Sequence, residues 1–198
     1  MSLVEELQRA REVLATAHHE YVTSVSSPGM ALSLETSCLV WALCEQRKPK
    51  AIVDLGSGFS SYVIRKWARS ANAATVSVDD DPSWLPRSKA FCAKHGLSTV
   101  DFQAWDEFST HRMGQFDIVI YDLGRMPLRH ANIARGLSFM AAGGIAVVDD
   151  MHKHNYHKEV VHVIAGLGMR GTDMKALTTD SHEGRHCWLV DRDIVPVQ

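Results

Sequence analysis

Paired glycines and acidic residues follow apolar segments in this 198-residue sequence. The segment AIVDLGSGFSS (51–61) ends an apolar run at Asp54 and Leu55 and then places Gly56 and Gly58 two positions apart. Such a turn between a strand and a helix lets a ligand lie against bare backbone. The next apolar segment ends at Asp79, 21 residues after Gly58, where a carboxylate can accept hydrogen bonds from ribose hydroxyls. This spacing indicates a nucleoside-containing ligand.

A purely structural turn remains an alternative when the glycine loop is taken alone. The dinucleotide fingerprint GxGxxG requires a third glycine, and Ser61 stands at that position, which argues against NAD. The acid at Asp79 favours a ligand site, because it gives the loop a ribose-binding partner. We interpret the next two acids, Asp80 and Asp81, as solvated or helix-capping residues.

Two histidines follow later strand ends and are candidate proton acceptors. His130 lies in RMPLRHAN and His152 in MHKHNYH. A neutral imidazole beside a substrate hydroxyl can remove its proton. The alternative is a polar helix start with exposed histidines, which we favour for His154 and His157 and leave open for the other two. Arg129 would pair with an acidic substrate or simply cap and solvate its helix.

The elements that must position these residues alternate along the chain. Helical periodicity is found at 2–20 and 31–46 and in SYVIRKWARS, PSWLPRSKAFCAKHG, MPLRHANIARGLSFMAAGG and HNYHKEVVHVIAGLG. Strand patterns are found in AIVDL, TVSVDDD, STVDFQAW, FDIVIYDL, IAVVDD, DMKALTTD and RHCWLVDR. Gly96 is expected to end the fourth helix, and two glycines to end the fifth. Alternation of this kind predicts an α/β fold: a doubly wound, Rossmann-like, mostly parallel sheet with helices on both faces.

The last two predicted strands indicate a C-terminal antiparallel hairpin. Only SHEG separates DMKALTTD from RHCWLVDR, whereas parallel neighbours need a crossover of roughly a dozen residues. We expect a single domain over residues 1–198, with an N-terminal helical cap or lid at 1–46 and a Rossmann-like core at 47–198.

Charge and composition narrow the partners and the location. The formal net charge is −2, which gives no protein-wide attraction for nucleic acid or anionic lipid. The four cysteines are scattered without a CxxC pair, as is typical of reduced thiols. No apolar stretch approaches the ~20 residues that span a bilayer, and the charged N-terminus is unlike a signal peptide. We expect a cytoplasmic protein with a small-molecule substrate and no nucleic-acid or membrane partner; a homodimer is possible.

Four segments resemble, in order, the motif series of class I S-adenosylmethionine-dependent methyltransferases. They are VDLGSGFSS, SVDDDPSW, FDIVIYDLG and GGIAVVDD. The resemblance covers about residues 30–190, includes the terminal hairpin, and is strongest to small bacterial enzymes of the O-methyltransferase-like type. It implies S-adenosyl-L-methionine as the cofactor and a small-molecule acceptor, with a hydroxyl oxygen ahead of nitrogen. It does not specify the acceptor.

The resemblance also implies cofactor contacts at seven positions. These are Asp54, Gly56 and Gly58 around the methionine part, Asp79 on the ribose, Trp105 and Asp106 beside the adenine, and Asp122 facing the methyl group. Trp105 could equally be a core residue. The segment from Ser27 to Thr36, with Met30 and Glu35, would form a lid, or else simply the cap and first turn of the second helix.

A divalent cation is a further implication. In metal-dependent catechol-type members, two aspartates and an asparagine bind the ion at the positions of Asp122, Asp149 and Asp150. Three carboxylates in one site repel one another unless a cation such as Mg²⁺ neutralises them. Since adjacent strand residues point to opposite faces, convergence requires the chain to turn at Met151. Alternatively, Asp150 caps the following helix, and Asp149 holds the cofactor or the sheet edge.

Three functions are therefore compared. The main hypothesis is a methyltransferase whose catalytic candidates are Asp122, Asp149, His152 and His130. The alternatives are N-methylation of a small molecule and a binding protein for the same cofactor without transfer activity. A nicotinamide-dependent oxidoreductase is disfavoured by Ser61 and by the terminal hairpin. An adenine-type nucleic-acid methyltransferase is disfavoured because YDLG stands where an Asn/Asp-Pro-Pro-aromatic motif is needed.

Overall fold

A computed structural model describes residues 2–110 and 115–192. Seven strands form one sheet: β1 (Ala51–Leu55), β2 (Ala74–Asp79), β3 (Phe102–Ala104), β4 (Phe116–Tyr121), β5 (Met140–Val148), β6 (Met169–Asp173) and β7 (Trp188–Arg192). The strand order is β3-β2-β1-β4-β5-β7-β6. β7 pairs antiparallel with both β5 and β6, whereas the other pairs are parallel. The predicted fold class is confirmed.

Helices cover both faces of this sheet. They are α1 (Leu3–Ser24), α2 (Leu34–Arg47), α3 (Phe59–Ala71), α4 (Trp84–Lys94), α5 (Trp105–Phe108), α6 (Met126–Ser138), α7 (His154–Gly166) and α8 (Lys175–Thr178). α1 begins with a capping box between Ser2 and Glu5, and Ser33 caps α2 by accepting a hydrogen bond from the Thr36 amide. Gly96 follows α4 in the left-handed region at φ +65°, as predicted for a helix end.

The period of two along the central strands divides the core into two layers. Ile118 and Ile120 of β4 pack among residues of α1, α2 and α3. Val119 and Tyr121, which alternate with them, pack among residues of α6 and α7. All four are fully buried. Burial on both faces explains why the sequence of this strand is a continuous apolar run. The strand ends at Tyr121, so Asp122 lies at its carboxyl end.

The antiparallel hairpin is confirmed, but the residues predicted for its first strand were wrong. β6 is formed by MRGTD, while Lys175–Thr178 of the predicted strand DMKALTTD form α8. The SHEG turn is part of a longer connection, residues 174–187. Lys, Ala and Leu favour a helix, and β6 is an edge strand with mostly exposed side chains, so it lacks an apolar signal.

The glycines expected to end α6 were also wrongly placed. α6 ends at Ser138, and Gly143 and Gly144 lie inside β5. The pairing of β4 with β5 is irregular between Phe116 and Ile118, and Gly143 adopts φ +73° beside this irregularity. A glycine in a strand often marks such a bulge. No helix in the described part of the chain has both the length and the apolar character that a bilayer crossing requires.

Candidate cofactor and acceptor site

Gly56 lies where the loop after β1 meets the end of β4. Its φ is +111°, and a Cβ at this position would lie 2.2 Å from the carbonyl oxygen of Asp122. Only glycine tolerates both the dihedral angle and this close approach. Gly58 differs, because its φ of −177° suits any residue. A Cβ there would lie 3.7 Å from Tyr21 Oη, 3.9 Å from Trp84 Nε1 and 4.0 Å from the Gly56 carbonyl oxygen, which are ordinary contact distances, so Gly58 provides room at the start of α3.

The glycine loop and the carboxylate of Asp79 form one hydrogen-bonded unit. The amides of Gly56 and Ser57 donate to the Val78 carbonyl at 2.8 and 2.9 Å. The Ser57 hydroxyl donates to Asp79 Oδ2 at 2.9 Å, and the Asp81 amide donates to Asp79 Oδ1 at 2.9 Å. Burial raises the pKa of Asp79 to about 6. The structure therefore brings the two sequence-predicted features together at the ends of neighbouring strands.

Asp54 supports the loop from behind. It is fully buried, and the Ser61 hydroxyl donates to its Oδ2 at 2.6 Å while accepting from the Gly58 amide at 3.3 Å. Its Oδ1 has no hydrogen-bond partner within residues 2–110 and 115–192. Burial raises the pKa of Asp54 to about 7. Ser61, which breaks the dinucleotide fingerprint, is thus the residue that fastens this acid to the loop.

Asp80, after β2, lies against Gly124 in the loop after β4, a contact that sequence reasoning missed. Gly124 has φ +49°, and a Cβ on it would lie 2.2 Å from Asp80 Oδ1. The expectation that Asp80 is solvated was wrong, because Asp80 is half-buried and burial raises its pKa. Asp81 is exposed and accepts from the Ser83 amide at 2.8 Å, but Ser83 itself is the N-cap of α4, so Asp81 lies before the helix and does not cap its first turn. A glycine two residues after Asp122 was the available signal.

The residues predicted to border the adenine lie in different surroundings. Trp105 is 6% exposed and packs perpendicular to Phe139, with ring centroids 6.4 Å apart. This packing matches the core alternative for Trp105. Asp106, next in sequence, lies in the short helix α5 that follows β3 and is exposed, so it is available to a ligand. A contact of either with adenine stays a prediction.

Arg129 joins the loops that follow β4 and β5. Its Nη2 lies 2.7 Å from Asp122 Oδ1, and its Nη1 donates to Asp150 Oδ2. Lys153 donates to the same Asp150 oxygen. Burial alone would raise the pKa of Asp150, but these two cations hold it below its ordinary value. The alternative that Asp150 caps the following helix was wrong, because the N-cap of α7 is Lys153 and the Asp150 carboxylate pairs with two cations instead.

The backbone turns at Asp150, and Asp149 and Asp150 have different partners. Asp150 adopts φ +64°, one residue earlier than the turn expected at Met151. Asp149 donates its amide to the Tyr121 carbonyl at 3.1 Å and is 2% exposed. Its Oδ1 has no partner among the residues that the structure describes. Burial, reinforced by the charges of Asp122 and Asp150, raises the pKa of Asp149 well above its ordinary value.

A divalent cation does not fit this arrangement. Oxygens of Asp122 and Asp150 are already bonded to Arg129, and Asp150 also to Lys153. In the described ranges, no three histidine, cysteine, aspartate or glutamate side chains are grouped so that they could hold a metal ion. Arg129 and Lys153 supply the charge that neutralises Asp122 and Asp150, whereas the raised pKa of Asp149 favours its uncharged form.

The two candidate histidines occupy different places. His152 has a side chain that is 20% exposed, with Nδ1 3.7 Å from Asp150 Oδ1, and burial lowers its pKa. Its ring meets that of His186 edge to face, with centroids 6.4 Å apart. The sequence did not indicate His186 as a site residue, because it lies in a segment with an apolar strand pattern. His130 packs on Tyr156 at 5.1 Å. It lines a cavity of about 410 Å³ with Met126, Lys153, His154, Asn155 and Tyr156.

The segment expected to form a lid is fastened to the connection between β6 and β7. Buried Arg185 donates to the carbonyls of Ala31 at 2.9 Å and Pro28 at 2.7 Å, and its Nε donates to Asp180 at 2.6 Å. Met30 is 71% exposed, whereas Glu35 pairs with Arg11 on α1 at 2.8 Å. Arg185 was not singled out from the sequence, because its partners are backbone carbonyls more than 150 residues away in the chain.

Comparison with solved structures identifies the fold. The O-methyltransferase TomG from Streptomyces achromogenes, involved in tomaymycin synthesis and solved with SAM, aligns with a TM-score of 0.65 at 18% identity, over 94% of this chain and 88% of its own. The SAH-bound methyltransferase PaMTH1 from Podospora anserina aligns with a TM-score of 0.64 at 16% identity, over 96% of this chain and 87% of its own. The O-methyltransferase from Bacillus cereus, solved with SAH, aligns with a TM-score of 0.64 at 12% identity, over 94% of this chain and 89% of its own.

These likenesses establish that the chain has the fold of the S-adenosylmethionine-dependent methyltransferases, nearly end to end. No protein-family profile matches the sequence. No curated protein matches it either. At this level of identity the fold is shared, and the activity has to be argued from the site.

Proposed function

We propose that this protein is an S-adenosyl-L-methionine-dependent methyltransferase that methylates a hydroxyl oxygen of a small molecule. The observation that carries the proposal is the hydrogen bond from Ser57 to Asp79, which makes the glycine loop and the ribose-binding acid one rigid unit. The unit lies at the carboxyl ends of β1 and β2, next to the point where the strand order reverses between β1 and β4, and this is where ligands bind in such sheets. Neighbours of the same fold were solved with SAM or SAH.

The residues of the loop fit this cofactor. Room at Gly58 and the bare backbone of Gly56 would receive the methionine part. Each oxygen of Asp79 accepts one hydrogen bond within the protein and keeps a second lone pair for a ribose hydroxyl. Asp106 would accept from the adenine amino group. Asp54 is fully buried, so its contribution would be to hold the loop through Ser61.

When bound, the cofactor supplies an electrophilic methyl group on a sulfonium centre. The chain must then orient the acceptor oxygen, exclude water and take up the acceptor's proton. His152 suits the last task, because burial lowers its pKa and leaves the imidazole neutral at neutral pH. Asp122, at the end of β4, would face the methyl group, held by Arg129. Asp149 and His130 are the remaining candidates for contact with the acceptor.

A divalent cation is not part of the proposal, since Arg129 and Lys153 hold the carboxylates that it would need. A small acceptor is favoured by the compact chain and by a net charge of −2, which does not suit nucleic acid. The four cysteines are free and buried, which supports our proposal of a reducing, cytoplasmic location.

Ligand binding followed by an activity screen tests the proposal. Calorimetry with SAM, SAH, NAD and NADP should show binding of the two sulfur compounds only, and Asp79→Asn should weaken it. Labelled methyl donor is then supplied with panels of phenols, other hydroxylated metabolites and amines. Label on a hydroxyl supports the proposal. Label only on amines would make the protein an N-methyltransferase, and binding without any transfer would leave a cofactor-binding protein. Binding of NAD instead would overturn the assignment.

A further inference from the structure

The guanidinium of Arg129 is fixed more fully than a pairing with two acids requires. Besides the carboxylates of Asp122 and Asp150, it donates to three consecutive backbone carbonyls. Nε donates to Leu123 at 3.0 Å, and Nη2 donates to Asp122 at 2.9 Å and to Gly124 at 3.1 Å. Its side chain is only 7% exposed. The planar fork of an arginine makes such a set of bonds, whereas the single ammonium of a lysine cannot.

We propose that Arg129 is a positioning residue that acts as a built-in cation, setting Asp122 and Asp150 at the acceptor side of the site in place of a divalent metal ion. This inference rests on the proposed methyltransferase function only where it calls this the acceptor side of the site. The charge arrangement itself is independent of any ligand.

The charges around Arg129 show why one fixed cation is needed. The acids that face it are Asp122 and Asp80 on the loops after β4 and β2, and Asp149 and Asp150 after β5. Tyr156 of α7 and Tyr121 of β4 are further titratable neighbours. Lys153 and Arg185 supply further positive charge, but the Lys153 side chain is 41% exposed. Removing the buried guanidinium would leave Asp122 and Asp150 facing each other without a shared partner, which is costly in a buried site.

Charge compensation tests the proposal. Arg129→Met should lower the melting temperature by about 10 °C, and the double variant Arg129→Met/Asp150→Asn should recover at least half of that loss, or fold where the single variant does not. The melting temperature of Arg129→Lys should lie between those of Arg129→Met and the wild-type protein. The surface variant Arg170→Met, which breaks an exposed pair with Asp191, should change the melting temperature by no more than about 2 °C. A double variant no more stable than Arg129→Met would show that Arg129 only fills space, and would overturn the proposal.

A metal titration supplies the second arm. Mg²⁺, Mn²⁺ or Ca²⁺ added to the wild-type protein should leave both its melting temperature and its SAH affinity as they are in EDTA. Binding of any of these ions that tightens SAH binding would overturn the proposal, because the site would then need a metal in addition to Arg129. A wild-type protein that binds no SAH at all would refute the proposed function instead, and the charge-compensation result would still stand.

Discussion

The Ser57 hydroxyl donates a hydrogen bond to Asp79 across the ends of β1 and β2, at 2.9 Å. The same two loops are joined by the amides of Gly56 and Ser57 on the Val78 carbonyl. A ligand that contacts the glycine loop therefore meets an acid whose position is already fixed. Such preorganisation lowers the entropic cost of ordering the site when the ligand binds.

Gly56→Ala should damage both stability and binding. The new Cβ would meet the Asp122 carbonyl at φ +111°, so we expect a loss of about 3 kcal/mol or more in unfolding free energy and no detectable SAH binding. Gly96→Ala is the matched control, because its φ is +65° and no atom lies within 4 Å of the added carbon; it should cost about 1 kcal/mol. Denaturant unfolding and calorimetry measure both effects. Equal losses in the two variants would contradict the close-approach argument.

Asp79→Asn should weaken SAH binding by roughly 10- to 100-fold, the loss of a charge-assisted hydrogen bond or two. The fold should persist, because the amide oxygen can still accept from Ser57 or from the Asp81 amide. Asp81→Asn is the control, since Asp81 is exposed and accepts from Ser83. Calorimetry decides the matter, and an unchanged affinity in Asp79→Asn would place the ribose elsewhere.

His152→Gln should reduce the methyl-transfer rate by about 10²–10⁴-fold with little change in SAH affinity. Burial lowers the pKa of His152, so the imidazole is already neutral at pH 7 and the wild-type rate should fall only when the pH drops below 6.5 and protonates it. The rate–pH profile shows this acidic limb, which should vanish in His152→Gln. His154→Gln, at an exposed position, should keep both rate and profile. If the limb persists in His152→Gln, another group takes the proton.

Stability without cofactor should depend on pH through Asp54. Burial raises its folded-state pKa to about 7, above the ordinary unfolded value, so the folded state binds more protons between about pH 4 and 7. Its stabilising contribution is complete below pH 4 and is lost as the pH rises through 7. Asp54→Asn should flatten this decline, which amounts to roughly 1–4 kcal/mol. Melting temperatures from pH 4.5 to 8 test it, and parallel curves for variant and wild type would contradict the assignment.

Elements with strong local signals were predictable. The β-branched run of β4 and the glycine after α4 were both identified, because burial on two faces and left-handed caps leave a clear pattern. Edge strand β6 and the bulged start of β5 were not. An exposed edge carries little apolar signal, and a glycine in a strand reads as a helix stop when its partner strand is unknown.

The sequence alone indicated the order of the seven strands and the six longer helices, but not the short helices α5 and α8. It also indicated the glycine loop and the acid placed to meet it, because spacing along the chain determines which residues end at the same edge of a parallel sheet. Only the tertiary structure determined which charged side chains pair and which loops come into contact. Arg129 meets Asp122 and Asp150, and Asp80 meets Gly124, because the ends of separate strands converge there. Spacing can place three acids near one another, but the direction of each carboxylate depends on a backbone turn, here at φ +64° on Asp150, that no local pattern announces.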